Sequence, residues 1–214
     1  DTRQKTEVLL VAAPNRLIDK LLKVLKTAGL NPISLETEIL AMSRSLVAPD
    51  SEATLLVDLG ARATDIAIIE KGQVVFTRSI STAGEALTRA VAGALGLEAG
   101  QAEEYKKAYG VDPGKLEGKV SQAIEPILEV IVKEMEQAIQ FYQQEKEKTV
   151  KRIVLTGGTA ILPEVVPLLA KKLTFETQIG DPFSRVVQDS LLAKIPKNDL
   201  LFYTVAVGLA MKEI

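Results

Sequence analysis

Two glycine-containing turns, each following a short apolar strand pattern, constrain this chain more than any other feature. The first is Asp58-Leu59-Gly60-Ala61-Arg62-Ala63-Thr64, between two strand patterns, and the second is Thr156-Gly157-Gly158-Thr159, between a strand and a helix pattern. Glycine removes the side chain at a turn, so backbone amides can approach a phosphate closely. The second turn has neither the G-x-x-x-x-G-K-S/T nor the G-x-G-x-x-G spacing of the common phosphate-binding motifs.

The residues around the first turn predict a small antiparallel sheet. Short apolar and β-branched runs separated by turn residues are typical of strands joined by hairpins. The runs predict strands over Leu55–Leu59, Thr64–Glu70 and Gln73–Ile80. Because the connections are only a few residues long, we expect the three strands to form a meander.

The rest of the chain alternates helix and strand patterns. Apolar residues recurring every three or four positions predict helices over Gly84–Leu95, Ala99–Tyr109 and Val120–Lys146. Beyond them the patterns predict a strand over Arg152–Leu155, a helix over Pro163–Leu173, a strand over Phe175–Ile179 and a closing helix over Asp199–Lys212.

The first fifty residues predict a compact β-α-β module. Thr6–Ala13 and Asn31–Leu35 have strand patterns, and an apolar stripe at helical spacing lies between them, with Pro14 as the first helical residue. A helix over Glu36–Val47 follows, and Pro49-Asp50-Ser51 ends it.

Composition excludes several classes of function. The chain of 214 residues contains no Cys and no His, so neither disulfides nor His-dependent catalytic triads can form within it. A formal net charge of -2 argues against a general nucleic-acid binder. No apolar run reaches the roughly 20 residues that span a bilayer, and the composition is typical of a cytoplasmic protein.

The first residue is Asp1 rather than Met, which we interpret as an internal start.

Each glycine turn has a structural and a ligand-binding interpretation. In the first, Gly60 either permits an ordinary hairpin or lets amides meet a phosphate, with Thr64 donating a hydroxyl hydrogen bond and Asp58 holding Mg²⁺ through water. In the second, Gly157 and Gly158 form either a tight strand-to-helix turn or a bare surface for a ligand, beside the free amides of the next helix.

A charged helix supplies a third candidate. Glu103 and Lys106 stand three positions apart in Ala99–Tyr109, so both side chains can project from one face. The alternative is a solvated helix whose ion pairs contribute little stability.

The order of these parts resembles the second half of the actin-like ATPase (ribonuclease H-like) fold of actins, chaperone ATPases and sugar kinases. The resemblance implies that Asp58, Gly60, Ala61 and Thr64 form a second phosphate loop, with Asp58 as the metal ligand. It also implies that Gly157, Gly158 and Thr159 form an adenosine loop. Ala102–Gly110 is similar to a stretch of bacterial actin homologues whose Glu and Lys face the ribose and adenine, which matches Glu103 and Lys106.

Several runs are similar to the PilM family of type IV pilus assembly proteins: the Val8–Glu38 region, Val57–Ile80, Thr156–Pro163 and Asp181-Pro182-Phe183. The resemblance implies an incomplete first lobe, because the first phosphate loop of the family would precede Asp1. It divides the chain into part of subdomain 1C (1–35), the connecting helix of 1A (36–52), 2A (53–95 and 151–197), 2B (96–150) and the closing helix of 1A (198–214).

The resemblance also implies a function. It indicates a cytoplasmic scaffold that is peripheral at the inner membrane through its partners, and that in its complete form binds ATP and Mg²⁺. The partners would be the N-terminal peptide of PilN and other pilus inner-membrane components, with no nucleic acid. ATP hydrolysis would be slow at most, and no catalytic residue is assigned, although Glu36 or Glu38 could position a water.

The alternatives are an FtsA-like cell-division protein and a small-molecule kinase. Apolar faces left by an incomplete lobe also predict a homodimer or poor solubility.

Overall fold

The computed structural model describes residues 8–187 and 192–213. The chain divides into two compact units, Asp1–Thr37 and Glu38–Ile214. The candidate ligand contacts all belong to the second unit.

The first unit differs from the predicted β-α-β module. Its described part contains one helix, α1 (Asn15–Thr27), and residues 8–14 and 30–37 are neither helix nor strand. Pro14 lies just before the helix as its N-cap. The predicted strands over 6–13 and 31–35 are therefore wrong where the structure describes them. A strand is stabilised by neighbours to which its amides can pair, and an isolated pair is marginal.

The second unit is built on a five-stranded sheet. Its strands are β1 (Thr54–Leu59), β2 (Thr64–Glu70), β3 (Gln73–Ile80), β4 (Arg152–Thr156) and β5 (Glu176–Ile179). The spatial order is β3-β2-β1-β4-β5. The predicted meander is confirmed, because β1, β2 and β3 pair antiparallel. β4 runs parallel to β1 and β5 parallel to β4, so helices must cross between them.

The helices of this unit lie on both faces of the sheet. They are α2 (Glu38–Leu46), α3 (Gly84–Leu95), α4 (Ala99–Tyr109), α5 (Lys119–Lys146), α6 (Val165–Leu173) and α7 (Thr204–Ala210). The predicted helix over Pro163–Leu173 begins two residues later, after Glu164 in the left-handed region. The predicted closing helix is a 3-10 segment, Lys197–Tyr203, followed by the shorter α7.

Side chains alternate between the two faces of the sheet along each strand, and this determines which helices pack against each face. In β1, Leu55 and Val57 point into the larger core, which is built with α3, α5 and α6. Leu56 points to the other face, where a smaller core includes Met42 of α2 and Val205 of α7. Successive strand residues face opposite sides, so the sheet is covered on both. Asp58 shares the face of Leu56 and is directed to the side of α2.

Candidate functional site

An open cavity of about 590 Å³ lies at the edge where β1 and β4 end. These strands are parallel neighbours, so their carboxyl ends and the turns that follow meet at one edge of the sheet. Helices α3 and α4 and the segment before α7 complete its wall. The lining residues are Gly60, Ala61, Gly84, Glu85, Glu103, Lys106, Lys107, Gly158, Thr159, Ile161, Leu162 and Phe202.

The structure brings most of the predicted ligand contacts together around this cavity. Asp58, Thr64 and Gly157 do not line it. The predicted residues that do are Gly60, Ala61, Glu103, Lys106, Gly158 and Thr159. The two glycine turns, separated by almost one hundred residues, therefore share one cavity with the charged pair of α4.

The first turn is fixed by backbone hydrogen bonds. The amide of Gly60 donates to the carbonyl of Ala63 at 3.1 Å. A Cβ at Gly60 would lie 2.7 Å from that oxygen, closer than real Cβ contacts. The amides of Gly84 and Glu85 donate to the carbonyls of Gly60 and Ala61 at 3.0 and 2.8 Å. The start of α3 is thus attached to this turn.

The two glycines of the second turn have different roles. Gly157 has φ +86°, and a Cβ there would overlap the Asp58 carboxylate and lie 2.6 Å from the Leu59 carbonyl oxygen. Thr159 donates its amide to the same carbonyl at 3.0 Å. Gly158 lines the cavity, and a Cβ added to it would have nothing within 4 Å. Gly157 is required where the two turns touch, whereas Gly158 leaves space for a ligand.

Gly84 joins the two turns from the side of α3. A Cβ at this position would lie 2.9 Å from Thr159 Oγ1 and 3.1 Å from the Gly60 carbonyl oxygen. Sequence reasoning identified Gly84 only as the start of a helix. Its role depends on contacts with residues far away in the chain.

The charged pair of α4 belongs to a hydrogen-bonded network with α3. The Lys106 ammonium lies 2.6 Å from Glu103 Oε2 and donates to Thr88 Oγ1 at 2.9 Å. Burial would raise the pKa of Glu103, but the hydrogen bonds from Lys106 and Thr88 and the charge of Lys106 outweigh it and lower the pKa to about 2. Glu103 is therefore ionised at any physiological pH. The interpretation of this pair as a merely solvated ion pair is wrong, because Lys106 is buried.

Asp58 is an unusual carboxylate at the end of β1. Burial, the facing Asp65 of β2 and Glu38 at the start of α2 raise its pKa from 3.8 to about 6. Asp58 and Asp65 are direct partners in the antiparallel register, so their like charges repel each other across the strand pair. At neutral pH this edge of the sheet concentrates negative charge beside the second turn.

Replacing Asp58 by asparagine is expected to stabilise the folded protein above pH 6, by about 2 kcal/mol. The folded wild type keeps a proton on Asp58 that the unfolded chain releases, so this group costs stability progressively as pH rises from about 4 to about 6. Thermal melting of the two proteins at pH 4 and pH 7.5 measures the difference. A variant whose melting temperature stays equal to that of the wild type at both pH values would contradict the burial of this charge.

Thr64 does not take part in the cavity. It is fully buried, and its hydroxyl donates to the carbonyl of Thr82 at 2.8 Å. The expectation that this hydroxyl meets a phosphate is corrected by that bond. Thr64 instead holds the start of β2 to the segment before α3.

Comparison with known proteins identifies the family of the chain. The sequence profile described as type IV pilus assembly protein PilM matches residues 1–214. The chain belongs to the PilM family.

Relatives of this PilM-family chain extend the comparison. Cell division protein FtsA of Escherichia coli K12 is 25% identical over 236 aligned residues, covering 97% of this chain and 55% of FtsA. FtsA of Pseudomonas aeruginosa is 28% identical and covers 88% and 49% of the two chains. The chain thus spans about half the length of these curated relatives.

Solved structures establish the fold. The PilM-PilN type IV pilus biogenesis complex superposes with a TM-score of 0.74 at 24% identity, covering 92% of this chain and 57% of that one. MreB5 of Spiroplasma citri bound to AMPPNP gives a TM-score of 0.69 at 16% identity, covering 94% and 65%. The fold of the PilM-family chain is therefore the expected actin-like ATPase fold.

Part of the cavity lining in this PilM-family chain is apolar, and the sequence did not predict it. Ile161 and Leu162 follow the second turn, and Phe202 lies in the segment before α7. Phe202 is 67% exposed although its ring is large and apolar. An aromatic ring in this position can stack against a flat group. The sequence held no signal for it, because an isolated Phe in a closing helix pattern is usually a core residue.

Neither a metal-binding group of side chains nor a membrane-spanning helix is found within residues 8–187 and 192–213 of this PilM-family chain. Within these ranges no group of three or more acidic side chains, His or Cys could hold a metal ion. Within the same ranges no helix is both long and apolar enough to cross a membrane.

Proposed function

We propose that this PilM-family chain carries the nucleotide-binding site of an actin-like scaffold in the type IV pilus inner-membrane assembly complex. The observation that carries the proposal is the convergence of both glycine turns and the Glu103–Lys106 pair on one cavity. Fold alone does not give function, so the argument rests on what these residues can hold.

The first turn and the start of α3 fit phosphate groups. Gly60 and Gly84 bring backbone close to the cavity without side chains. Backbone at such turns can meet negatively charged oxygens without steric hindrance. The cavity is also large enough, because small-molecule sites usually occupy about 300–1,000 Å³.

The second turn and α4 fit a nucleoside, and Gly158 leaves open space there. Glu103 is an ionised carboxylate at the cavity and can accept hydrogen bonds from sugar hydroxyls. Ile161, Leu162 and Phe202 offer an apolar surface against which a base can stack. A nucleotide has both kinds of group, whereas a sugar phosphate has no flat apolar face to bury. The site therefore favours ATP over the acceptors of a small-molecule kinase.

Mg²⁺ would be held mainly by the nucleotide. Asp58, at the end of β1 and outside the cavity lining, is the candidate carboxylate of the first turn, and it is ionised above pH 6. Mg²⁺ commonly uses one or two carboxylates together with phosphate oxygens and waters. A site completed by the ligand agrees with the lack of a preformed metal cluster among the residues that the structure describes.

The partner proposed for the complete protein is the cytoplasmic N-terminal peptide of PilN. The support is the PilM-PilN complex, to which this chain is similar in fold. Attachment to the inner membrane would then come through PilN. ATP would act by favouring a closed state of the complete protein that binds the peptide differently from the open state, and rapid hydrolysis is not needed for that role.

Gly158→Glu in the full-length protein is expected to weaken ATP binding about a hundredfold or more, since it places a charged side chain in the part of the cavity proposed for the adenosine. The fold should be retained, because nothing lies within 4 Å of the new Cβ. Isothermal titration calorimetry with Mg-ATP measures the affinity, and thermal melting checks the fold.

Two outcomes would contradict the proposal. Equal ATP affinity in wild type and Gly158→Glu would remove the second turn from the site. A wild type that binds the PilN peptide with the same affinity in the presence and absence of ATP would remove the proposed coupling. Gly100→Glu is the matched control, because Gly100 also has nothing within 4 Å of its Cβ position and does not line the cavity.

A further inference from the structure

Thr88 lies outside the cavity lining but contacts both charged residues of the site. It is half-buried on α3, one turn after Gly84. Its Oγ1 lies 2.5 Å from Glu103 Oε2 and 2.9 Å from Lys106 Nζ. Its hydroxyl is also within 3.0 Å of the Gly84 carbonyl oxygen. Thr88 therefore stands where α3, α4 and the first turn meet.

The Lys106 ammonium has three acceptors inside the protein. Its Nζ lies 2.6 Å from Glu103 Oε2, 2.9 Å from Thr88 Oγ1 and 3.2 Å from the Gly84 carbonyl oxygen. An ammonium group has three donors, so Lys106 has none left for a ligand in this arrangement. Lys106 is thus an internal anchor that joins α4 to the start of α3.

Glu103 is the residue of this network whose side chain can still bind a ligand. Its Oε2 receives Lys106 and Thr88, while Oε1 lies 3.3 Å from the ammonium of Lys107. The Lys107 side chain is 68% exposed and can turn away into solvent. Oε1 then becomes an acceptor fixed in position at the cavity. A fixed, ionised acceptor suits a pair of neighbouring hydroxyl groups.

We propose that Thr88 is a positioning residue that holds the Glu103 carboxylate for hydrogen bonding to the ribose hydroxyls of a nucleotide. The inference rests on the proposed nucleotide function and adds a determinant of sugar recognition to it. Thr88 acts through Glu103, because its oxygen accepts from Lys106 at 2.9 Å and its single proton goes to the ionised carboxylate at 2.5 Å rather than to the Gly84 carbonyl at 3.0 Å. Without the hydroxyl, the carboxylate loses one of its two anchors and is free to adopt other rotamers.

The test compares ATP with 2′,3′-dideoxy-ATP, both with Mg²⁺, on the full-length protein. Thr88→Val keeps the side-chain shape and removes the hydroxyl, and Thr88→Ser keeps the hydroxyl. We expect Thr88→Val to weaken ATP binding about tenfold and to leave dideoxy-ATP binding within about twofold of the wild type. Thr88→Ser should restore most of the ATP affinity.

The controls separate sugar recognition from general damage. Thr177→Val, on β5 and away from the cavity, removes a hydroxyl that donates only to the local Phe175 carbonyl and should change neither affinity. Equal weakening of both nucleotides by Thr88→Val, or failure of Thr88→Ser to rescue, would overturn the positioning role. So would ATP affinity in Thr88→Val equal to that of the wild type. A wild type that binds neither nucleotide would instead refute the proposed function, on which this inference depends.

Discussion

Replacing Gly208 by alanine is expected to lower the free energy of unfolding by about 3 kcal/mol, enough to detach α7 from α2. Gly208 lies in α7 where that helix packs against α2. A Cβ at this position would overlap the carbonyl group of Ala41 and lie 3.0 Å from its Cα. The obstacle is backbone, so no rotamer change can relieve it, and the two helices must separate.

Separation of the helices would also cost hydrogen bonds. Arg44 donates to the Gly208 carbonyl, and the buried hydroxyl of Ser45 donates to the Thr204 carbonyl at 2.9 Å. Alanine has better intrinsic helix propensity than glycine by about 1 kcal/mol, which opposes the loss without cancelling it. The net effect remains strongly destabilising.

Chemical denaturation of the wild type, Gly208→Ala and Gly93→Ala measures this effect. Gly93 is a helical glycine of α3 with nothing within 4 Å of its Cβ position, so the same substitution there should stabilise by about 0.5–1 kcal/mol. If Gly208→Ala stabilises the protein to the same extent as Gly93→Ala, α7 does not pack against α2 as described.

Gly157→Ala is expected to destabilise the protein by about 2–4 kcal/mol and to abolish ATP binding by the full-length protein. Two costs combine at this position. The backbone has φ +86°, which an L side chain rarely adopts. The new Cβ would also overlap the Asp58 carboxylate and lie 2.6 Å from the Leu59 carbonyl oxygen. The two turns would have to move apart, and the cavity between them would lose its form.

Gly158→Ala provides the neighbouring control. Its Cβ would meet nothing within 4 Å, so stability should change by less than about 0.5 kcal/mol. Thermal melting and ATP calorimetry on both variants make the comparison. Equal melting temperatures for Gly157→Ala and Gly158→Ala would show that the turns do not touch.

Glycines in this chain have two distinct tasks, and sequence alone does not separate them. Gly157 and Gly208 allow backbone segments to pack closely, while Gly158 keeps a surface open. The contacts around each position, rather than the turn motif, predict which substitution damages the fold and which damages binding.

The local elements of the second unit were predictable from the sequence. The three-stranded meander, the long helix α5 and both turns lie close to where the patterns predicted them. Local periodicity sets these elements, because a strand repeats every two residues and a helix every 3.6. In the first unit the same reasoning predicted α1, but it failed for the strands over residues 8–13 and 31–35, because strand formation depends on pairing that the pattern does not encode.

The amino-acid sequence by itself determined the order of strands and helices in the second unit, the two glycine turns and the charged pair of α4. The tertiary structure decided that Thr64 is buried and bonded to Thr82, that Lys106 is an internal anchor, and that Phe202 reaches the cavity. The physical reason is the range of the interactions. Periodicity and turn preference act between near neighbours, whereas the roles of these side chains are set by contacts between residues distant in the chain, which form only when the sheet assembles.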